Sequence, residues 1–122
     1  MLHRGQLRLE HYAHGLDAGG HLVLFSVAKS LTSTLIGAAI KDGAIGSIDD
    51  DVTRYVAELK VSVYEGVTLR QLLTMTSGVQ WNETYTDPTS DRRDLLRAQI
   101  AQEPGGAMAV MAALPRAAEP GT

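Results

Sequence analysis

The chain has 122 residues, of which 44% are hydrophobic and 20% charged, with a formal net charge of −3. That composition suits one folded domain with a modest core and excludes a disordered segment. The acidic balance, with no basic stripe, argues against a nucleic-acid partner, and the absence of cysteine excludes disulfides, thiolate metal sites and thiol nucleophiles. The longest clean apolar run, Leu35 to Ile40, is far too short to span a bilayer. The N-terminus lacks the charged-then-apolar pattern of a signal peptide, which points to the cytoplasm if Met1 is the true start and otherwise leaves the compartment open.

Taken in order, Met1 to Leu24 reads as β. Leu2, Leu7, Leu9 and Tyr12 are interleaved with polar residues, Arg4-Gly5-Gln6 supplies a tight turn, and Gln6 to Tyr12 alternates with period two, as a half-buried strand does. Asp17-Ala18-Gly19-Gly20 is a second loop. All four histidines, His3, His11, His14 and His21, lie in this stretch. On a strand, the spacing of His11 and His14 puts them on opposite faces, and no carboxylate or cysteine joins them in a ligand pattern. They read as surface or loop histidines.

Ser26 to Lys41 is the clearest helix. Ala28, Leu31, Leu35, Ala38 and Ala39 form a stripe at helical spacing, which predicts a buried element, and Asp42-Gly43 is a helix stop. The first turn is unusual. Helix starts favour Asp or Glu because the dipole there is positive, yet this one carries Lys29 and no acid. Ser26 and Lys29 are three apart, so one turn sets both side chains on one face. A serine hydroxyl is a poor nucleophile until a base takes its proton, and a partly desolvated lysine is such a base. The plainer alternative makes Ser26 an N-cap and Lys29 a solvated helix residue.

Asp49-Asp50-Asp51 reads as a cap and favourable charge for a short helix presenting Val52, Tyr55, Val56 and Leu59. The spacing does not fit an EF-hand loop. Thr68-Leu69-Arg70-Gln71 fits a capping box ahead of a stripe of Leu69, Leu72, Leu73 and Met75 that ends at Ser77-Gly78. Val79 to Asp91 is polar and irregular but holds Trp81 and Tyr85, which either pin the loop to the core or line a cleft, pinning being the commoner role. Ser90 or Asp91 can cap a helix through Ile100 with Arg92-Arg93 on its solvated face. Pro104-Gly105-Gly106 breaks the chain, Ala107 to Leu114 can form a last short helix, and Arg116 to Thr122 has no core pattern.

The order Phe25-Ser26-Val27-Ala28-Lys29-Ser30, Asp42-Gly43, Ile48-Asp49-Asp50 and Gly66-Val67-Thr68-Leu69-Arg70-Gln71-Leu72-Leu73-Thr74-Met75-Thr76-Ser77-Gly78 resembles the class C β-lactamase-like serine hydrolases, a family that includes penicillin-binding proteins, esterases and amide hydrolases. The continuation Trp81-Asn82-Glu83-Thr84-Tyr85-Thr86-Asp87-Pro88 is similar to the branch of 6-aminohexanoate-dimer hydrolases. The resemblance covers nearly the whole chain from His3 onward. It implies an α+β class, a penicillin-binding-like antiparallel sheet flanked by helices. Ser26 would be the nucleophile, Lys29 its base, and the Ser26 N–H one oxyanion donor. Tyr85 matches a loop tyrosine that contacts substrate. The reaction would be amide or ester hydrolysis of a small molecule through a Ser26 acyl-enzyme, with no metal or organic cofactor.

The family pattern also includes a Tyr-x-Asn-like segment and a later strand with a Lys-Thr-Gly-like triplet, and neither occurs in these residues. Residues 1–122 are therefore expected to be an incomplete β-lactamase-related serine hydrolase domain, a β-hairpin remnant plus helices with most of the antiparallel sheet missing, and inactive in this form. The alternatives are a non-catalytic binding module and a helical interaction domain. Oligomeric state and substrate (β-lactam, peptide, ester or linear amide) stay open.

Overall fold

Arg4 and Gly5 both take positive φ, 49° and 74°, the conformation that lets two residues reverse the chain within the natural twist of a hairpin. They join β1 (Leu2–His3) to antiparallel β2 (Gln6–Leu7), with Leu2 opposite Leu7 and His3 opposite Gln6. A computed structural model describes residues 1–23 and 25–122. These fall into two units, Met1–Thr32 and Ser33–Thr122.

In the first unit the expected strand from Gln6 to Tyr12 shrinks to Gln6–Leu7. Its apolar residues are not half-buried: Leu7 is 56% exposed and Leu9 59%. Alternation alone does not hold a strand whose outer edge has no partner to pair with its backbone. Leu24, the last residue of that expected β stretch, lies outside the described residues. Asp17 closes the second loop as expected, its Oδ1 accepting from Gly19 N at 2.9 Å and its carbonyl from Gly20 N at 3.1 Å. The four histidines are exposed, and no cluster of three or more His, Cys, Asp or Glu able to hold a metal occurs among the described residues.

The central helix starts with a 3₁₀ turn, Phe25–Val27, and continues as α1 (Ala28–Lys41). It ends where the sequence predicts. Gly43 takes φ 78° and the Ala44 N–H reaches back to the Ala39 carbonyl at 2.9 Å, as in a Schellman cap. The expectation that its apolar stripe is buried is corrected. Leu31 is 57% exposed and Leu35 69%, and only Ile36, Ala39 and Ile40 are half-buried. The stripe has the right spacing, but the described residues supply nothing to cover its N-terminal half.

The core of the second unit is Val52, Leu59, Tyr64, Val67 and Leu69, with Ile45, Val56, Leu72, Met108 and Met111 packed on it. The short helix expected after the aspartates is two 3₁₀ turns, Val52–Arg54 and Ala57–Leu59, parted at Val56 (φ −122°, ψ 88°). Backbone pairing competes there: Val52 N donates to Val67 O at 2.9 Å and Leu69 N to Asp50 O at 3.0 Å. The aspartates act as caps and anchors. Asp51 Oδ1 caps Thr53 N at 2.8 Å, its Oδ2 accepts from Gly66 N at 2.7 Å, and Asp50 accepts from the Tyr55 hydroxyl and from Ser47 N.

The capping box at α2 (Leu69–Leu73) is complete, Thr68 Oγ1 taking the Gln71 N–H at 3.2 Å and Gln71 Oε1 the Thr68 N–H at 2.9 Å. Ser90 caps α3 (Asp91–Ala101), which packs on α4 (Gly106–Ala112). The last residues, which carry no core pattern, are held largely by backbone pairing. Gln80 N donates to Pro115 O at 2.8 Å, Ala117 N to Gly78 O at 2.8 Å and Gly121 N to Thr76 O at 2.8 Å. Gly78, at φ 72°, is obligatory in this pairing, because a Cβ there would lie 2.1 Å from the Ala118 carbonyl oxygen. No described helix is long and apolar enough to cross a membrane.

Candidate active site

Ser26 lies in the 3₁₀ turn and Lys29 in the first turn of α1, so their side chains meet as the three-residue spacing predicts: Lys29 Nζ donates to Ser26 Oγ at 3.0 Å. The absence of an acid from that turn is real, and no carboxylate among the described residues lies within ion-pair distance of Lys29. Phe25, immediately before Ser26, sits at φ 45°. A bulky aromatic side chain rarely adopts this left-handed conformation, and such strain gathers at functional turns. Both Ser26 and Lys29 are exposed, so the partial desolvation that helps an amine act as a base is not supplied by the residues around it.

Tyr85 sits in a loop that is built rather than loose. Asn82 is its hub. Its N–H donates to Asp91 Oδ2 at 2.7 Å, its carbonyl takes the Arg92 N–H at 3.2 Å, its Nδ2 donates to Asp87 Oδ2 at 3.0 Å, and its Oδ1 takes the Thr84 N–H at 3.0 Å. Asp87 Oδ1 also accepts from the Thr89 hydroxyl at 2.7 Å and the Thr89 N–H at 2.8 Å, and these bonds, with that from Asn82, hold its carboxyl below the usual carboxylate range. The loop is thereby tied to the first turn of α3.

The two aromatic residues differ. Trp81 is half-buried, as a pin would be. Tyr85 is 65% exposed and is no pin; the Arg92 guanidinium stands 3.8 Å from its ring centroid, a close cation–π stack. The expectation of a solvated Arg92-Arg93 face is also corrected. Both residues are half-buried, Arg92 on Tyr85 and Arg93 with its Nε enclosed. The signal for Arg92 was present in the sequence, since two arginines in a helix's first turn oppose the dipole. Arg116, also unforeseen, sends Nη2 to the Val63 carbonyl and anchors the last segment to the core.

The family described as Beta-lactamase matches residues 1–122. The chain belongs to the Beta-lactamase family. Among its curated relatives is the 6-aminohexanoate-dimer hydrolase of Paenarthrobacter ureafaciens, 38% identical over 91 residues. That match takes in 75% of this chain but only 23% of the relative, so the chain spans about a quarter of that protein's length. The resemblance carried by the Ser26–Lys29 and Leu72–Gly78 motifs, and the narrower one carried by Trp81 to Pro88, are both borne out. Among the described residues this Beta-lactamase-family chain is mostly helical, with one two-stranded sheet.

Proposed function

We propose that this chain carries the nucleophile and base of a serine hydrolase that cleaves an amide or ester. The 3.0 Å contact between Ser26 Oγ and Lys29 Nζ is the observation that carries the reading. With Lys29 as the free amine, Ser26 O–H donates across the same distance. Oγ then attacks the acyl carbon while its proton passes to Nζ. The Ser26 N–H, at the positive end of the helix, faces the developing oxyanion. As the C–N or C–O bond breaks, the Lys29 ammonium returns the proton to the leaving group, and water hydrolyses the Ser26 ester. The resemblance to the 6-aminohexanoate-dimer hydrolase branch supports Tyr85, on its tied loop, as a substrate contact. No metal or organic cofactor is called for in this scheme.

Residues 1–122 form an incomplete domain in this reading, a hairpin remnant plus helices with most of the antiparallel sheet lying outside them. Its supports are the 23% share of the relative, the absence of a Tyr-x-Asn-like segment and a Lys-Thr-Gly-like triplet from the 122 residues, and the exposure of Ser26 and Lys29. Purified 1–122 is expected to show little or no turnover of a simple ester such as p-nitrophenyl acetate. Sustained hydrolysis abolished by Ser26→Ala would overturn that.

The same exposure supports a second reading, a binding or helical interaction module in which the pair does no chemistry. A serine-directed phosphonylating probe separates the two, since only an activated Ser26 is modified.

A further inference from the structure

Among the described residues, Arg4, His14, Phe25, Met75 and Gln102 take positive φ without being glycine. Four of them have a local account. Arg4 makes the hairpin turn between β1 and β2. His14 shares with Gly15 the centre of the turn that the Leu16 N–H closes onto the Ala13 carbonyl at 3.1 Å. Met75 follows the C-cap of α2 and Gln102 caps α3, where a left-handed residue commonly ends a helix. Phe25 is the exception. At φ 45° it opens a helix instead, and its bulky side chain makes that conformation costly. Its ring is 84% exposed, so no packing among the described residues holds it there.

The consequence falls on the next residue. A left-handed residue cannot form part of a right-handed α-helix, so the helix cannot lengthen backwards through Phe25. The start stays at Ser26, whose N–H has no carbonyl of the helix behind it to bond. The first turn, Phe25–Val27, also stays 3₁₀. Residues three apart eclipse in a 3₁₀ turn and are offset by about 60° in an α-helix. The tight turn therefore brings Ser26 Oγ and Lys29 Nζ into line, 3.0 Å apart. Phe25, Ser26 and Lys29 all lie in the first unit.

We propose that Phe25 is a positioning residue: its left-handed backbone, not its ring, holds the helix start at Ser26 and with it the Ser26–Lys29 contact. The consequence for hydrolysis rests on the reading of Ser26 as the nucleophile; the contact itself does not.

The test compares Phe25→Gly, Phe25→Asn and Phe25→Val in the 122-residue protein by two readouts. Glycine and asparagine accept positive φ, and β-branched valine resists it. The first readout is the rate of Ser26 phosphonylation by a fluorophosphonate across pH. The second is the Lys29 ε-CH2 signal of 13C-lysine-labelled protein, which has only Lys41 and Lys60 besides. Its response to adding Ser26→Ala in each background reports the contact without any reaction. Phe25→Gly and Phe25→Asn, although both lack the ring, are expected to keep the rate within about threefold and to keep the Lys29 response. Phe25→Val is expected to slow the reaction at least about tenfold. It should also lose both the rise in rate as the Lys29 ammonium deprotonates and the Lys29 response. No Lys29 response in the unmodified chain, its loss in Phe25→Gly or Phe25→Asn, or its survival in Phe25→Val would overturn the proposal. If Phe25→Val unfolds, Phe25→Gly and Phe25→Asn still decide it. Ser26 unreactive in every variant, with the Lys29 response following the backbone preference, sinks the hydrolase and leaves the positioning role standing.

Discussion

The Arg70 guanidinium grips the Asp49 carboxylate with two donors, Nε 2.6 Å from Oδ1 and Nη2 3.0 Å from Oδ2. The pair joins residues 21 apart in sequence and ties the aspartate turn to α2, whose cap lies beside the Val52–Leu69 core. Both side chains are more than half exposed, so the pair gives register more than stability.

The pH dependence of folding follows from such carboxylates. The hydrogen bonds from Arg70 hold Asp49 below its ordinary value of 3.8, the Tyr55 hydroxyl does the same for Asp50, and Thr89 does so for Asp87. A folded-state value below the unfolded one contributes stability that is present above the unfolded pKa and lost as pH falls through the folded one. The melting temperature is therefore expected to hold near neutrality and fall as pH drops below about 4. Asp49→Asn should flatten that fall. A melting temperature that rises on acidification would contradict this.

Burial pushes the Tyr64 phenol up. Its raised value works in the opposite window: the contribution is complete below the unfolded pKa and is lost as pH rises through the folded one. Tyr64→Phe should therefore blunt the alkaline loss of stability in a denaturant titration series. An unchanged alkaline limb would show that the phenol titrates freely.

Thr68→Ala removes one half of the α2 capping box and is expected to cost about 1 kcal/mol by urea denaturation. Gln71→Ala removes the other half, and the double variant should cost less than the sum, because each bond organises the other. Strict additivity would mean that the box does not act as a unit.

Two glycines with similar backbone and different surroundings should respond differently to alanine. Gly66, at φ 82°, has open space where a Cβ would go, so Gly66→Ala is expected to cost only the left-handed strain, about 1–2 kcal/mol. Gly78→Ala drives a methyl into the Ala118 carbonyl and must break the pairing of 76–80 with 115–121. It should destabilise by well over that amount and release amide protection at Ala117 and Gly121. Equal costs for the two would contradict the close approach.

Leucines separate core from stripe. Leu59→Ala and Leu69→Ala, at 6% and 7% exposure, are expected to cost about 2–5 kcal/mol each. Leu35→Ala, at 69% exposure, should stay within about 0.5 kcal/mol. A large cost at Leu35 would mean that the α1 stripe is covered after all.

What the sequence made legible was local. The Ser26–Lys29 contact, the Thr68–Gln71 box, the Gly43 stop and the Ser90 cap each depend on residues a few positions apart, where helix geometry alone decides who meets whom. Burial was read poorly, because it depends on what packs across from a residue. Among the described residues the leucines of α1 have core spacing but no cover, and the alternation from Gln6 to Tyr12 finds a partner strand only at Gln6–Leu7. Arg92 and Arg116 were missed for a related reason. A charged residue on a helix or tail defaults to solvent until a specific partner, here the Tyr85 ring or the Val63 carbonyl, claims it. The family was legible because its motifs are contiguous and ordered.

The central claim is that Lys29 activates Ser26. The direct measurement is the rate at which a fluorophosphonate modifies the purified protein, with the adduct located by peptide mapping. Phosphonylation asks only for one attack by an activated hydroxyl, not turnover. The account predicts a single adduct on Ser26, formed at least about 100-fold more slowly in Lys29→Ala and absent in Ser26→Ala. No adduct, an adduct elsewhere, or an unchanged rate in Lys29→Ala would contradict it.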